Sequence, residues 1–148
     1  MILRKLLFGG AAVETPLANT GLLILRVYTG LILASQHGIN KVPPSEKFVQ
    51  GVSEIGFPIP ELFSWAAGGA EFLGGILLAI GLLTRPAALF ILITMATAVF
   101  GRHATDPFSD KELALTFGFI SLTFLLLGSG RYGIDNIIQP RRKIKENH

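Results

Sequence analysis

Two long apolar stretches of this chain are each interrupted by a single charge: Leu17–Gln36 contains only Arg26, and Leu62–Thr84 contains only Glu71. About 20 helical residues cross the ~30 Å hydrocarbon core of a bilayer. A backbone at that depth must satisfy its own polar groups, which restricts such stretches to helices or closed barrels. An ionised side chain inside a span is costly unless it is paired or faces a polar cavity, and so marks a candidate site. One base and one acid in consecutive spans predict a contact between Arg26 and Glu71.

The rest of the composition agrees with a membrane protein. Half of the 148 residues are hydrophobic, 16% are charged and the mean hydropathy is +0.55, whereas a soluble domain carries about 25% charged residues. Four apolar spans are predicted, at about 17–37, 61–83, 86–101 and 112–128, with a basic tail over 131–148. The expected fold is all-α: one domain over 1–148, an integral membrane four-helix transmembrane bundle.

The net charge of +3 does not point to nucleic acid. Arg4, Lys5, Arg85, Arg131, Arg141, Arg142, Lys143 and Lys145 fall on one side of the predicted bundle, and Lys41, Lys47, Arg102 and Lys111 on the other. This bias puts both termini in the cytoplasm and brings the tail Arg141–Lys145 to anionic headgroups. The chain has no cysteine, which excludes thiol catalysis, disulfides and cysteine-ligated clusters within it. Met1–Phe8 is too short in apolar residues for a signal peptide and reads as an amphipathic lead-in on the membrane surface.

The connection from Gly38 to Pro60 is the longest. Ser45 is a helix cap, Glu46 suits the first turn, and Gly56 is a stop. Phe48, Val49, Val52 and Ile55 fall on one face. A short amphipathic interfacial helix between spans one and two is expected, either a surface connector or a lid.

Arg26, Gly30, Ala34, His37 and Lys41 share one helical face, and Ala67, Glu71, Gly75 and Ala79 share another. Small residues let membrane helices approach closely. With span boundaries near Ala18 and Leu83, Arg26 is about 12 Å and Glu71 about 18 Å deep, a difference a long arginine can bridge. The pair is either a device fixing helix register or a titrating site, with Glu71 relaying protons beside Arg26.

A second cluster is expected at the outer end: His37 and Lys41 from the first span, Arg102 and His103 from the third, then Asp106, Asp110 and Glu112. His37, Lys41, Arg102, His103 and Glu112 are candidate ligand-binding residues for a quinone, a haem, a metal or a small polar ligand. No HxxxH or HExxH spacing selects a metal, and histidines at helix ends also serve as interfacial residues.

Several ordered segments carry a family resemblance. They are Arg26-x-x-x-Gly30, His37-Gly38-x-x-Lys41, Gly56-Phe57-Pro58-Ile59-Pro60 and Glu71-x-x-Gly74-Gly75, followed by Gly81-Leu82-Leu83-Thr84-Arg85-Pro86-Ala87 and Gly128-x-Gly130-Arg131-Tyr132-Gly133-Ile134-Asp135. From about Thr20 to Ile137 the chain resembles the DoxX family of small four-span membrane proteins. The resemblance implies a link to quinone-coupled oxidoreductases, among them a membrane subunit of a thiosulfate:quinone oxidoreductase. It equally implies partners that gather redox or detoxification enzymes at the membrane. The expectations are a quinone-associated subunit in the plasma membrane, with quinone as its ligand and an oxidoreductase partner; a non-catalytic scaffold; or a solute or proton carrier, which would require a homo-oligomer.

Overall fold

The computed structural model describes residues 7–9, 11 and 13–139. Most of the Met1–Phe8 lead-in and all of the basic tail Arg141–Lys145 lie outside the described residues. The described chain is all-helical. Helix α1 (Pro16–Ile32) continues through a π-helical turn, Leu33–Gly38, and a 3-10 turn, Ile39–Lys41. Then come α2 (Glu46–Glu54), α3 (Pro60–Ile80), α4 (Thr84–Thr97, with a π-helical end Ala98–Arg102), α5 (Phe108–Leu127) and α6 (Ile134–Ile138). Among the described residues three helices are long and apolar enough to cross a membrane: Pro16–Lys41, Pro60–Ile80 and Thr84–Arg102. Large apolar side chains, including Leu17, Ile24, Leu73, Phe90, Phe100, Phe119 and Leu126, point away from the bundle, as lipid-facing residues do.

Helix boundaries follow local chemistry. The Ser45 hydroxyl accepts from Phe48 N–H at 3.3 Å, and the backbone turns at Gly56 with φ 90°, so α2 starts and stops where its sequence predicts. Helix α3 ends three residues earlier than expected. Gly81 adopts φ 72°, and the N–H groups of Gly81 and Leu82 both return to the Leu77 carbonyl at 3.0 Å. Two close 5→1 and 6→1 bonds of this kind terminate a helix on a glycine. Helix α1 runs four residues longer than expected, to Lys41, because the π and 3-10 turns carry it past His37.

The small faces meet. A Cβ built on Gly30 would lie 2.6 Å from Ala79 N, one on Gly75 would lie 2.8 Å from the Gly30 carbonyl, and one on Gly68 would lie 2.6 Å from the Lys41 carbonyl. Helices α1 and α3 therefore touch backbone to backbone, antiparallel, with Gly38 beside Glu71 and Phe72. Small residues permit this approach, and close packing replaces the hydrophobic drive that lipid removes. Helices α3, α4 and α5 continue the packing around Leu33, Leu78, Ala88, Ile91, Met95, Phe117 and Phe124. At the end of α5, the Arg85 guanidinium donates to the Leu125 carbonyl at 2.7 Å and to that of Leu126 at 3.1 Å. Those are among the last carbonyls of a helix, which have no acceptor role within it.

Candidate functional site

Lys41 Nζ donates to both carboxylate oxygens of Glu71, at 2.7 Å each. Glu71 is 3% exposed and the Lys41 side chain 32%. Glu71 stands nine residues from one end of α3 and eleven from the other, roughly 14 and 16 Å along the axis. The ion pair is thus half-way along a spanning helix. The irregular turns ending α1 deliver Lys41 there; π-helical turns commonly reorient side chains at functional sites. Phe48 of α2 places its ring 5.6 Å from the ammonium. His37 packs edge-on against Phe117 of α5, with ring centroids 5.6 Å apart.

The expected Arg26–Glu71 contact is not formed. The α1–α3 register sets Gly38, not Arg26, beside Glu71, and Arg26 comes against Gly81, ten residues further along α3, or about 15 Å. No side chain bridges that gap. The depths expected for the two residues were wrong because α1 and α3 are staggered, α1 extending well beyond the C-terminal end of α3.

Arg26 instead belongs to a polar clamp at the far end of the bundle. It is 1% exposed and its Nη2 donates to the Tyr132 carbonyl at 3.3 Å. A Cβ on Gly81 or Gly133 would collide with its guanidinium. Asp135, whose charge acts on Arg26, is beyond ion-pair contact and is committed elsewhere. Its two oxygens accept from Leu83 N–H at 2.7 Å and Thr84 N–H at 2.9 Å, and its own N–H donates to the Gly81 carbonyl at 2.8 Å. Leu83 has φ 48°, a region strained for a residue with a side chain, and no side chain of its own turn caps α4. Asn19, 1% exposed, completes the clamp: its amide donates to the Val13 and Thr15 carbonyls and its carbonyl accepts from Arg131 N–H at 2.7 Å.

Replacing Asp135 by alanine is expected to cost about 2 kcal/mol, the upper end for a helix cap, because it also strands buried donors. Asp135→Asn keeps one acceptor and should cost less. Thermal unfolding in detergent reads both; an unchanged midpoint for Asp135→Ala would remove the clamp from the account of stability.

The expected outer cluster separates into two. Phe117, and so His37, lies near the level of Met95, whose Cβ is 3.6 Å from a Cβ built on Gly118. His103 is eight residues further along α4, about 12 Å away. There its Nδ1 meets Asp106 Oδ2 at 2.8 Å, and Lys111 Nζ donates to the Ala104 carbonyl. Arg102 and Glu112 are exposed. His37 and Lys41 thus belong with Glu71, and His103, Arg102 and Glu112 do not. Among the described residues no group of three His, Asp or Glu is placed to hold a metal. Asp135 and Asn19 were not singled out as site residues, although Asp135 is the lone acid between Glu112 and Glu146 and faces a helix with no local cap.

With the geometry established, comparison with known proteins places the chain. The DoxX family model matches residues 21–104, more than half of it. The chain belongs to the DoxX family. A second model, "TQO small subunit DoxD", matches residues 65–148 of this DoxX protein. Among relatives, "Inner membrane protein YphA" of Escherichia coli (strain K12) is 38% identical over 123 residues, 77% of this chain and 87% of the relative. "Putative oxidoreductase CatD" of Bacillus subtilis (strain 168) is 28% identical over 124 residues, 83% of this chain and 90% of the relative. No solved structure matches the chain.

Proposed function

We propose that this DoxX protein is a quinone-associated subunit of a membrane oxidoreductase system, with Lys41, Glu71 and His37 as its site. The observation that carries the reading is the buried Lys41–Glu71 contact half-way along α3, with the Phe48 ring 5.6 Å from the ammonium and the His37–Phe117 pair four residues back along α1. A bound quinone supplies a two-electron, two-proton acceptor. An ammonium has three N–H donors; two of those of Lys41 meet Glu71, leaving one for a carbonyl oxygen. The imidazole of His37 offers a second donor, and Phe48 and Phe117 offer ring faces. An apolar groove of about 180 Å³ between α4 and α5, lined by Leu92, Met95, Val99, Phe100, Gly118 and Phe119, suits an apolar tail. The names of the matching family model and of the Bacillus relative support an oxidoreductase setting.

The chain acts in this reading as one unit with four spans. Helix α5 has 20 residues, of which Leu113–Leu127 carry no charge; with its charged first turn at the interface it makes the fourth crossing in this reading. Helix α2 then lies at the opposite interface, and the excess of bases at the α5–α6 end keeps both termini in the cytoplasm of a cell whose inner membrane holds the protein. Electrons come from a partner subunit, since the chain carries no flavin or nicotinamide fingerprint. Glu71→Gln preserves shape and one hydrogen bond to Lys41, and it is expected to abolish quinone-dependent turnover in a folded protein, whereas His103→Ala leaves turnover intact. The direct test is mass spectrometry and absorption of small molecules extracted from detergent-purified protein. Stoichiometric quinone that is lost in Glu71→Gln supports the reading. Lipid alone, where a control enzyme keeps its quinone, overturns it.

That second outcome favours a scaffold, for which one feature speaks. A cleft of about 580 Å³ between α2 and the start of α3 is lined by Pro43, Pro44, Glu46, Glu61 and half-exposed Trp65, among others. Clefts with an exposed indole at the rim are suited to protein contact.

A further inference from the structure

We propose that the charged pair is a one-ended site: Lys41 is the group that meets a ligand, from the α2 end of the bundle only, and Glu71 is a positioning residue that never leaves cover. The proposal rests on the functional reading above for the identity of the ligand, but not for the direction of access.

The two members of the pair are unequally placed. A third of the Lys41 side chain is open while Glu71 is closed at 3%. Both carboxylate oxygens are taken by the ammonium, so the acid has its bonding directed at Lys41. The ammonium has one donor left, and the Phe48 ring of α2 is 5.6 Å from its nitrogen. Since lysine and glutamate already cancel in charge, an anion is not demanded there. A neutral carbonyl oxygen completes the ammonium without adding a second buried charge, which the low-dielectric interior penalises.

The other direction is shut. Between the level of Glu71 and the far end of the bundle the interior is filled by Leu33, Leu78, Ile91 and Phe124, each 0% exposed. Close-packed apolar interiors leave no room for water, and water needs two or more polar partners to stay in such a place. Beyond this plug the clamp of Arg26, Asn19 and Asp135 ties α1, the α3–α4 turn and the segment after α5 together. Ser121 of α5, 0% exposed, lies buried on this side of the bundle. Protons and polar ligands reach the pair past α2, and a carrier passing solutes from end to end is disfavoured.

The native lack of cysteine makes the test clean. A thiol is introduced by Lys41→Cys together with Glu71→Gln, so that no buried charge is left unpaired, and by Ser121→Cys as a second, separate variant. Both are placed in vesicles sorted by the side on which the C-terminus lies, and treated with a membrane-impermeant trimethylammonium thiosulfonate. The expected result is labelling at position 41 from the α2 side, its loss from the C-terminal side, and none at position 121 from either. Labelling at 41 from the C-terminal side, or at 121 from that side, overturns the proposal. So does a thiol at 41 that reacts from neither side, while remaining reactive in denaturant. In a second arm, Lys41→Cys alone is treated with aminoethyl thiosulfonate, which rebuilds an ammonium in place; recovery of thermal stability is expected there and not in the Lys41→Cys, Glu71→Gln variant, and equal responses overturn the role of Glu71 as partner of the ammonium. Neither readout involves quinone. A protein that retains no quinone but labels as described refutes the ligand and keeps the direction, and the reverse outcome does the opposite.

Discussion

Lys41→Met is expected to destabilise the folded bundle by about 3–5 kcal/mol, the cost of leaving one member of a buried ion pair without its partner. Glu71 would remain closed from solvent at 3% exposure with no cation in reach, because Arg26 is engaged ten residues away along α3. Adding Glu71→Gln removes the stranded charge, so the double variant should recover most of the loss. A double-mutant cycle on unfolding in detergent measures the coupling. Additive losses would show that the two side chains do not depend on each other. The same cycle distinguishes stability from function: the double variant should fold and still lack any quinone-dependent activity.

The second large effect belongs to the α1–α3 contact. Gly30→Ala puts a methyl group 2.6 Å from Ala79 N and against the Gly75 carbonyl. These are backbone atoms on both sides, and they cannot rotate away as a side-chain tip can. The helices must separate, and the expected cost exceeds about 4 kcal/mol, in the range reserved for disrupted cores. Gly69→Ala on the partner helix α3 is the control, since nothing lies within 4 Å of its added Cβ; it should be neutral or gain up to about 1 kcal/mol from helix propensity. Equal behaviour of the two variants in a detergent-denaturation series would remove the close approach as an explanation.

These two cases also show what can be read from residues in order. That Gly30, Ala34, Gly75 and Ala79 form facing stripes follows from a period of 3.6, and Ser45 announces α2 through its cap. Lys41, Glu71 and His37 were all legible as candidates. Their pairing was not, because it depends on the register between two helices. A slide of α1 along α3 by about three turns would bring Arg26 instead of Gly38 to the level of Glu71, and the recurrence of small residues does not by itself forbid it. The register is fixed by α1 continuing through irregular turns to Lys41, and a π turn leaves no mark in hydrophobic periodicity. Asp135 was hidden for a different reason. A cap that lies fifty-one residues beyond the first residue of the helix it serves is not visible in any local window, and the missing local cap at Leu83 is the trace it leaves. His103 was grouped with His37 because each closes an expected span, but α1 continues past His37 to Lys41 and leaves His37 short of the helix end.

The distant cap has a consequence for how the protein is made. A ribosome completes the α3–α4 hairpin well before it adds Asp135, so the newly made hairpin has no carboxylate yet for the Leu83 and Thr84 N–H groups. The hairpin is finished only when α5 has followed it and the chain has doubled back to deliver its carboxylate. Assembly therefore has a built-in final step, and a product truncated before residue 135 carries every residue of the Lys41–Glu71 pair on a framework that has not been locked.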